Sequence, residues 1–289
     1  MWYAGDIMKP STKLQALIEV VETAGQLARE YFYQHEAFAE KEDRSVVTKI
    51  DTETEAALRA FIAAHFPHDT IVGEEGADVT GDSGYVWYID PIDGTENFIR
   101  KIPLFSITAT RLGPGPEGSC AVVHNPISRQ TFASFMEAGV YENRTLATRA
   151  ATAIGGRRAI HVLSSSYEPW VKPAKHRLVH ELGARYGRSA SFSAGLLELA
   201  YVAAGRLDGV IALHNNPWDT AAGLYLNKSA GSRISLFVDG EWQGYHGAIS
   251  ALYGASKRER PILLVSDPVM HDELCAFVGD PRQWAVDTA

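Results

Sequence analysis

Cysteine is scarce in this sequence of 289 residues, which contains only Cys120 and Cys275. The two cysteines lie far apart and have no metal-ligand spacing, so they predict neither a disulfide framework nor a zinc site. A reducing cytoplasm is therefore the expected compartment. Basic residues are also in the minority, because 27 Lys and Arg stand against 35 Asp and Glu, which gives a net charge of -8. This balance argues against non-specific binding to nucleic acid or to an acidic membrane.

Long apolar runs are missing as well. No segment is apolar over the length that spans a bilayer, and Met1 to Asp6 lack a basic stretch followed by an apolar one. No GxGxxG motif follows a strand pattern, which disfavours a nicotinamide-binding enzyme. The histidines show no Ser/His/Asp spacing, so we interpret them as surface or packing residues. The composition, 46% hydrophobic and 21% charged, is typical of a globular protein with one large domain or two.

The chain is organised around the stretch from 85 to 107. Its apolar and β-branched opening, Tyr85–Ile89, predicts a buried strand, which we expect to end at Asp90 because Pro91 cannot donate to a sheet ladder. Asp93-Gly94 has turn chemistry, and Thr95 then stands at the start of a short helix. These groups make a compact site for cations and phosphate, since oxygen ligands suit Mg²⁺ and free N–H groups suit an anion.

Three blocks of this sequence carry a family resemblance. They are Gly73-Glu74-Glu75-Gly76, then Asp90-Pro91-Ile92-Asp93-Gly94-Thr95 with Asn97-Phe98 following, and Pro217-Trp218-Asp219-Thr220-Ala221-Ala222-Gly223 far downstream. In this order they resemble the inositol monophosphatase family of metal-dependent, lithium-sensitive phosphatases. The similarity extends from about Leu14 to about Ser266, which is nearly the whole chain.

The fold expected is α/β, with an α+β first half and an α/β second half. Runs of strands before the Gly155-Gly156-Arg157-Arg158 stretch predict an antiparallel sheet, and the strand–helix alternation beyond it predicts a mostly parallel one. We therefore divide the chain into 1–155 and 156–289. The resemblance implies the layered αβαβα architecture of this phosphatase family, and a homodimer.

Two amphipathic helices precede the first block. Apolar spacing predicts one from Thr12 to about Phe38 and another from Thr52 to His65. Asp51 stands just before the second, where it can act as an N-cap. The resemblance instead places Asp51 beside Thr95, and the two roles can coexist.

By resemblance, Glu74, Asp90 and the Ile92 carbonyl hold one Mg²⁺, and Asp90, Asp93 and Asp219 hold a second. Glu74 with waters holds a weaker third. Without cations, each pair of neighbouring carboxylates costs about 4 kcal/mol at about 4 Å and an effective dielectric near 20. The plainer interpretation makes Asp219 a helix N-cap and Asp93 a turn residue.

The resemblance also implies how the site works. Thr95, polarised by Asp51, orients the attacking water and accepts its proton, with Glu74 as a further catalytic group. The backbone N–H groups of Gly94 and Thr95 bind phosphate oxygens. The full set of expected substrate contacts is Asp93, Gly94, Thr95, Ser193, Ala194, Gly195, Ala212 and Asp219.

The second half departs from the family pattern. Ala212 stands where inositol phosphatases usually have a Glu, Ser193-Ala194-Gly195-Leu196 is altered, and Ser229-Ala230-Gly231-Ser232 replaces Glu-Ala-Gly-Gly. The function expected is Mg²⁺-dependent hydrolysis of a small polyol or sugar phosphate, with inositol monophosphate as the default substrate. Histidinol phosphate, fructose bisphosphate and an adenosine bisphosphate nucleotide remain alternatives. A catalytically silent binding or regulatory protein is the alternative from another class.

Overall fold

The computed structural model describes residues 12–34, 38–40, 46–147, 156–166, 168–254 and 259–285. Its helices are α1 (Thr12–Phe32), α2 (Lys49–His65), α3 (Thr95–Ile99), α4 (Val171–Tyr186), α5 (Gly195–Ala203), α6 (Ala221–Ser229) and α7 (His271–Val278), with 3₁₀ turns at Ile249–Tyr253 and Pro281–Ala285. Both predicted N-terminal helices are present, although α1 ends at Phe32 rather than near Phe38. The charged segment 41–44 and residues 148–155, which include Gly155 of the predicted domain boundary, lie outside the described residues.

The strands are β1 (Phe38–Glu40), β2 (Val46–Thr48), β3 (Thr70–Gly73), β4 (Val86–Asp93), β5 (Ser106–Leu112), β6 (Cys120–Asn125), β7 (Gln130–Phe135), β8 (Tyr141–Glu142), β9 (Thr145–Leu146), β10 (Arg158–Leu163), β11 (Gly187–Ala190), β12 (Gly209–Ala212), β13 (Arg233–Val238), β14 (Glu241–Gly244) and β15 (Leu263–Ser266). β1 and β2 form a two-stranded pair. The strands from β3 to β9 form a seven-stranded sheet in sequence order. Apart from the parallel β3–β4 pair, this sheet is antiparallel, as predicted.

The second sheet has six strands in the order β11-β10-β12-β15-β13-β14. β10 pairs in parallel with β11 and β12, but β12–β15, β15–β13 and β13–β14 are antiparallel. The prediction of a mostly parallel sheet is therefore wrong. It overlooked β13 and β14, and it could not show that β15 enters the sheet against the direction of β12, because pairing partners lie far apart in sequence.

Successive residues of β4 pack into two different cores because side chains alternate across a strand. Trp87 and Ile89 pack with α1 and α2, whereas Val86 and Tyr88 face α5 and α6. The α5–α6 layer also contacts β12 and β15, so it fills the space between the sheets, and α4 and α7 cover the outer face of the six-stranded sheet. The result is the layered αβαβα order. Within the described ranges, no helix has the length and hydropathy needed to cross a bilayer.

Candidate metal and phosphate site

A β-bulge shapes the end of β4. The strand does not end at Asp90, as the sequence predicted, but continues through Pro91. Asp90 pairs with Thr108. The next paired residue is Asp93, opposite Ser106, so β4 carries one residue more than β5 over this interval. A bulge is one of the places where a sheet tolerates a proline, since one ladder position is left unpaired there.

The Thr95 hydroxyl lies between two oxygen atoms from separate parts of the chain. Its Oγ1 is 3.0 Å from the Ile92 carbonyl and 3.4 Å from Oδ1 of Asp51. Asp51 is fully buried in the first turn of α2, and that helix begins at Lys49. The N-cap interpretation of Asp51 is therefore wrong, and its position beside Thr95 is the one found. Because a hydroxyl has one proton, only one of the two oxygens can accept it at a time.

Asp90 is the centre of a concentration of negative charge. It is 1% exposed, and its Oδ1 has no hydrogen-bond partner among the described residues. Burial raises the pKa of Asp90 well above its ordinary value, and the charges of Glu74, Asp93, Asp219 and Asp51 raise it further, in that order. An uncompensated buried carboxylate is costly, so this centre favours a proton or a cation.

Asp93 is held by the second half of the chain. Its Oδ1 accepts the N–H of Gly195 at 2.9 Å, and its Oδ2 accepts the N–H of Leu196 at 2.9 Å and the hydroxyl of Ser106 at 3.0 Å. Burial raises the pKa of Asp93 to about 7, with the charge of Asp219 adding to the shift and the hydrogen bonds opposing it. The bonds to Gly195 and Leu196 join residues about a hundred positions apart, and no pattern in the sequence predicted them.

The turn after Asp93 touches the same part of the second half. Gly94 has φ 91, and a Cβ there would lie 2.9 Å from the Ser193 carbonyl oxygen, so a side chain is excluded by both conformation and space. Asn97 Nδ2 donates to the carbonyls of Leu104 at 2.7 Å and Phe192 at 2.6 Å. Residues 191–196, here called the 191–196 segment, therefore lie directly against the signature block.

The Glu74 loop is supported by two residues that the sequence did not single out. Glu55, 2% exposed on α2, accepts the backbone N–H groups of Glu75 at 2.8 Å and Gly76 at 2.7 Å. Arg59 pairs with Glu55 at 2.7 Å and donates to the Gly76 carbonyl at 3.1 Å. The i,i+4 spacing of Glu55 and Arg59 was visible, but it is equally typical of a solvated helix face.

Asp219 comes from the loop before α6. The helix begins at Ala221. Oδ2 of Asp219 accepts the N–H of Asn216 at 2.9 Å, so the interpretation of Asp219 as the N-cap of this helix is wrong. Burial raises its pKa, although hydrogen bonds from Ser165 and Asn216 oppose the shift. The side chain is thus turned back into its own loop in this conformation.

The remaining predicted contacts divide into two groups. Gly195 and Ser193 adjoin Asp93 and Gly94, as described above. Ala194 is fully buried, and Ala212 is 1% exposed in the core between the two sheets. A methyl group at Ala212 offers no hydrogen bond to a ligand.

The donor set suits Mg²⁺. Every candidate ligand is an oxygen, which hard cations prefer, and the unpartnered Oδ1 of Asp90 has a free position for one. In the described ranges, no three His, Cys, Asp or Glu side chains converge closely enough to hold a metal as they stand. Asp93 and Asp219 accept backbone N–H groups, and each carboxylate oxygen has a second lone pair with which it can also bind a cation.

Known proteins resemble this chain in sequence and in fold. The model of the inositol monophosphatase family matches residues 9–268. Nus factor SuhB of Escherichia coli K12 is 31% identical over 235 residues, covering 78% of this chain and 86% of the relative. A fructose-1,6-bisphosphatase/inositol-1-monophosphatase of Thermotoga maritima is 30% identical over 243 residues, covering 82% and 84%. Among solved structures, a Thermotoga maritima IMPase has a TM-score of 0.77 at 25% identity, covering 95% of this chain and 99% of that one.

Proposed function

This chain belongs to the inositol monophosphatase family, and from that premise we propose that it is a Mg²⁺-dependent phosphomonoesterase. The substrate class is a small polyol or sugar phosphate, with inositol monophosphate as the default. The observation that carries the proposal is the Asp90 centre, where a buried carboxylate oxygen without a partner meets the charges of four other carboxylates. A protein that only needed to fold would gain nothing from this arrangement.

Glu74, Asp90, the Ile92 carbonyl, Asp93 and Asp219 are the proposed ligands. When bound, Mg²⁺ neutralises the charge on the phosphoryl oxygens and stabilises the attacking and leaving oxygens of the displacement. Thr95 orients the attacking water through its hydroxyl, and Asp51, 3.4 Å from that hydroxyl, receives the proton. The N–H groups of Gly94 and Thr95 hold phosphate oxygens.

A regulatory role without catalysis is the second candidate, because one of the relatives described above is named a Nus factor. The two candidates make different demands on the residues. A regulatory surface has no need of a buried, unpartnered Asp90 oxygen, whereas a phosphatase does.

The deciding experiment is hydrolysis of a panel of phosphate esters with and without Mg²⁺. The panel contains inositol monophosphate, fructose bisphosphate, histidinol phosphate, an adenosine bisphosphate and an aryl phosphate. We expect Mg²⁺-dependent turnover of several esters, inhibition by lithium at millimolar levels, and loss of turnover in Asp93→Asn. If no ester is hydrolysed at saturating Mg²⁺, the regulatory role is favoured. Turnover without lithium inhibition would leave the phosphatase assignment standing and remove the lithium expectation.

A further inference from the structure

A buried pair of side chains lies beneath the 191–196 segment. His161 in β10 and Glu198 in α5 are both fully buried, and Nδ1 of His161 is 2.5 Å from Oε2 of Glu198. Nε2 of His161 is buried without a hydrogen-bond partner in the described part of the chain. The tautomer that leaves no buried N–H unsatisfied therefore has its proton on Nδ1, donated to Glu198.

The second oxygen of Glu198 binds the 191–196 segment. Oε1 accepts the N–H of Phe192 at 2.8 Å and lies 3.5 Å from the Ser191 hydroxyl. The ring of Phe192 meets the His161 ring edge-on, with centroids 4.5 Å apart. The pair thus fixes both the backbone and the side chain of Phe192.

The same segment binds the signature block on its other side. The Phe192 carbonyl accepts from Asn97 Nδ2 at 2.6 Å, and the N–H groups of Gly195 and Leu196 reach Asp93 at 2.9 Å each. Glu198 and Asp93 therefore bind the same stretch of backbone, Glu198 at the Phe192 N–H and Asp93 at the N–H groups of Gly195 and Leu196. Glu198 makes no hydrogen bond to the Asp93 carboxylate within the described residues, but its charge is among those that raise the pKa of Asp93.

We propose that the His161–Glu198 pair positions the 191–196 segment, and through it sets the orientation of the Asp93 carboxylate toward Mg²⁺. This inference rests on the proposed function for the identity of the metal. Packing alone does not account for the pair, because apolar side chains of similar volume could fill the same space. An apolar pair would leave the Phe192 N–H without its acceptor.

The test compares two variants that differ in this acceptor. In Glu198→Gln, Oε1 still accepts the Phe192 N–H, and the histidine can take its other tautomer to accept from the new amide. In His161→Phe with Glu198→Leu, packing is kept and the acceptor is lost. We expect the first variant to keep kcat and Mg²⁺ affinity near wild type and to melt at a lower temperature, because its histidine tautomer leaves the buried Nε2–H without a partner. We expect the double variant to lose about 10- to 100-fold in kcat and in Mg²⁺ affinity, with faster deuterium uptake in the peptide covering 191–197.

His271→Phe is the matched control. His271, at the start of α7, is also buried and is held by Ser235 and Ser266 at 2.8 Å each, and none of its hydrogen bonds among the described residues reaches the 191–196 segment. We expect this variant to lower the melting temperature without changing Mg²⁺ affinity or exchange at 191–197. A double variant that melts like this control and keeps wild-type Mg²⁺ affinity and exchange would overturn the positioning role.

Mg²⁺ affinity is measured by calorimetric titration of the full chain, so it does not depend on turnover. A wild type that binds Mg²⁺ but hydrolyses no ester would refute the proposed function, while the affinity and exchange of the double variant would still decide the positioning role. A wild type that binds no Mg²⁺ would refute both.

Discussion

Asp69 and Asp90 are two buried aspartates of the same sheet region with opposite surroundings. Asp69 is 4% exposed and Asp90 is 1% exposed. Asp69 accepts Nε of Arg111 at 2.6 Å, the Ser83 hydroxyl at 2.6 Å and Nε1 of Trp87 at 2.9 Å. Burial would raise its pKa, but these bonds and the guanidinium charge outweigh it, so the pKa of Asp69 is lowered. At Asp90 the neighbours are carboxylates, and the pKa is raised.

The difference separates a structural charge from a functional one. Asp69 is neutralised by the protein itself, and Arg111 is further enclosed by the Tyr85 and Phe66 rings. The charge at Asp90 is neutralised by no basic side chain among those that shift its pKa. Burial of an acid therefore does not by itself indicate a functional site. A functional site is indicated by a buried acid whose charge has to be neutralised by a group from outside the chain.

Asp90→Asn should have the largest effect of the variants proposed here. We expect turnover to fall by about 10³-fold or more, because the substitution removes a proposed ligand of both cations. In the absence of Mg²⁺ we expect equal or higher stability, since repulsion among buried carboxylates is relieved. Steady-state kinetics at saturating Mg²⁺ measures the loss of turnover, and urea unfolding in the presence of chelator measures the stability without Mg²⁺. Retained turnover would remove Asp90 from the ligand set, and lower stability in chelator would contradict the repulsion argument.

The Asp90 block was recognisable in the sequence because its ligands lie within a few residues, and the strand before it has a strong apolar pattern. The surrounding structure was less accessible. The bulge at Pro91 depends on how β4 pairs with β5, and the Asp93 bonds to Gly195 and Leu196 depend on how the two halves pack. Local periodicity carries no information about either. The same holds for the direction of β15, which is set by its partners.

The pH dependence of stability should have opposite signs for the two kinds of buried aspartate. The pKa of Asp93 is raised to about 7, so between about pH 4 and pH 7 the folded state binds a proton that the unfolded state has released. Stability without Mg²⁺ should therefore fall as pH rises through this window, by on the order of a few kcal/mol. Asp69 acts in the opposite sense, because its lowered pKa contributes stability that is lost as pH falls.

Urea midpoints across this pH range, with chelator, measure the effect. The buried His124 and His271 have their pKa lowered to about 4, so they make stability rise with pH over part of the window. The quantity to compare is therefore wild type minus Asp93→Asn. A difference that does not change with pH would show that Asp93 titrates normally in the fold.

Asp69→Asn tests the other side of the comparison. It leaves the Arg111 guanidinium, 12% exposed, without its carboxylate. We expect a loss of about 3 kcal/mol in the free energy of unfolding, as for other broken buried ion pairs. Mg²⁺ affinity should stay unchanged, because neither Asp69 nor Arg111 is among the groups whose charges shift the pKa of Asp90. Calorimetric unfolding and Mg²⁺ titration give the two values, and a weakened Mg²⁺ site would show that the two regions are coupled.

Thr95→Ala separates water activation from cation binding at the Asp90 centre. We expect kcat to fall by about 10²-fold, as for removal of a group that helps proton transfer. Half-saturation by Mg²⁺ should change little, because the hydroxyl is proposed to act on the water. Thr95→Ser retains the hydroxyl and should recover most of the rate. Equal losses in kcat and Mg²⁺ affinity would instead indicate that Thr95 holds the Ile92 turn, through its 3.0 Å bond to that carbonyl.

Ala212→Glu should have the smallest effect of these variants. It tests whether the second half of the chain limits the range of substrates. A carboxylate there would accept hydrogen bonds from substrate hydroxyls, and bonds to charged groups are worth about 1.5–3 kcal/mol. We expect kcat/KM on inositol monophosphate to rise roughly tenfold, with no change on an aryl phosphate. Because Ala212 is buried between the sheets, the variant should also lose some stability, and Ala212→Gln controls for the added charge.

A wild type that already prefers inositol monophosphate strongly would contradict this expectation, because the ring hydroxyls would then have a partner other than residue 212. His214 and Asn215 are the nearest candidates along the chain. His214 has φ 53, unusual for a residue with a side chain, and its Nδ1 lies 2.9 Å from Glu168 Oε1. That bond holds the ring, and Nε2 makes no hydrogen bond within the described part of the chain. Loss of the preference in His214→Ala, with aryl phosphate turnover retained, would assign the ring contact to His214.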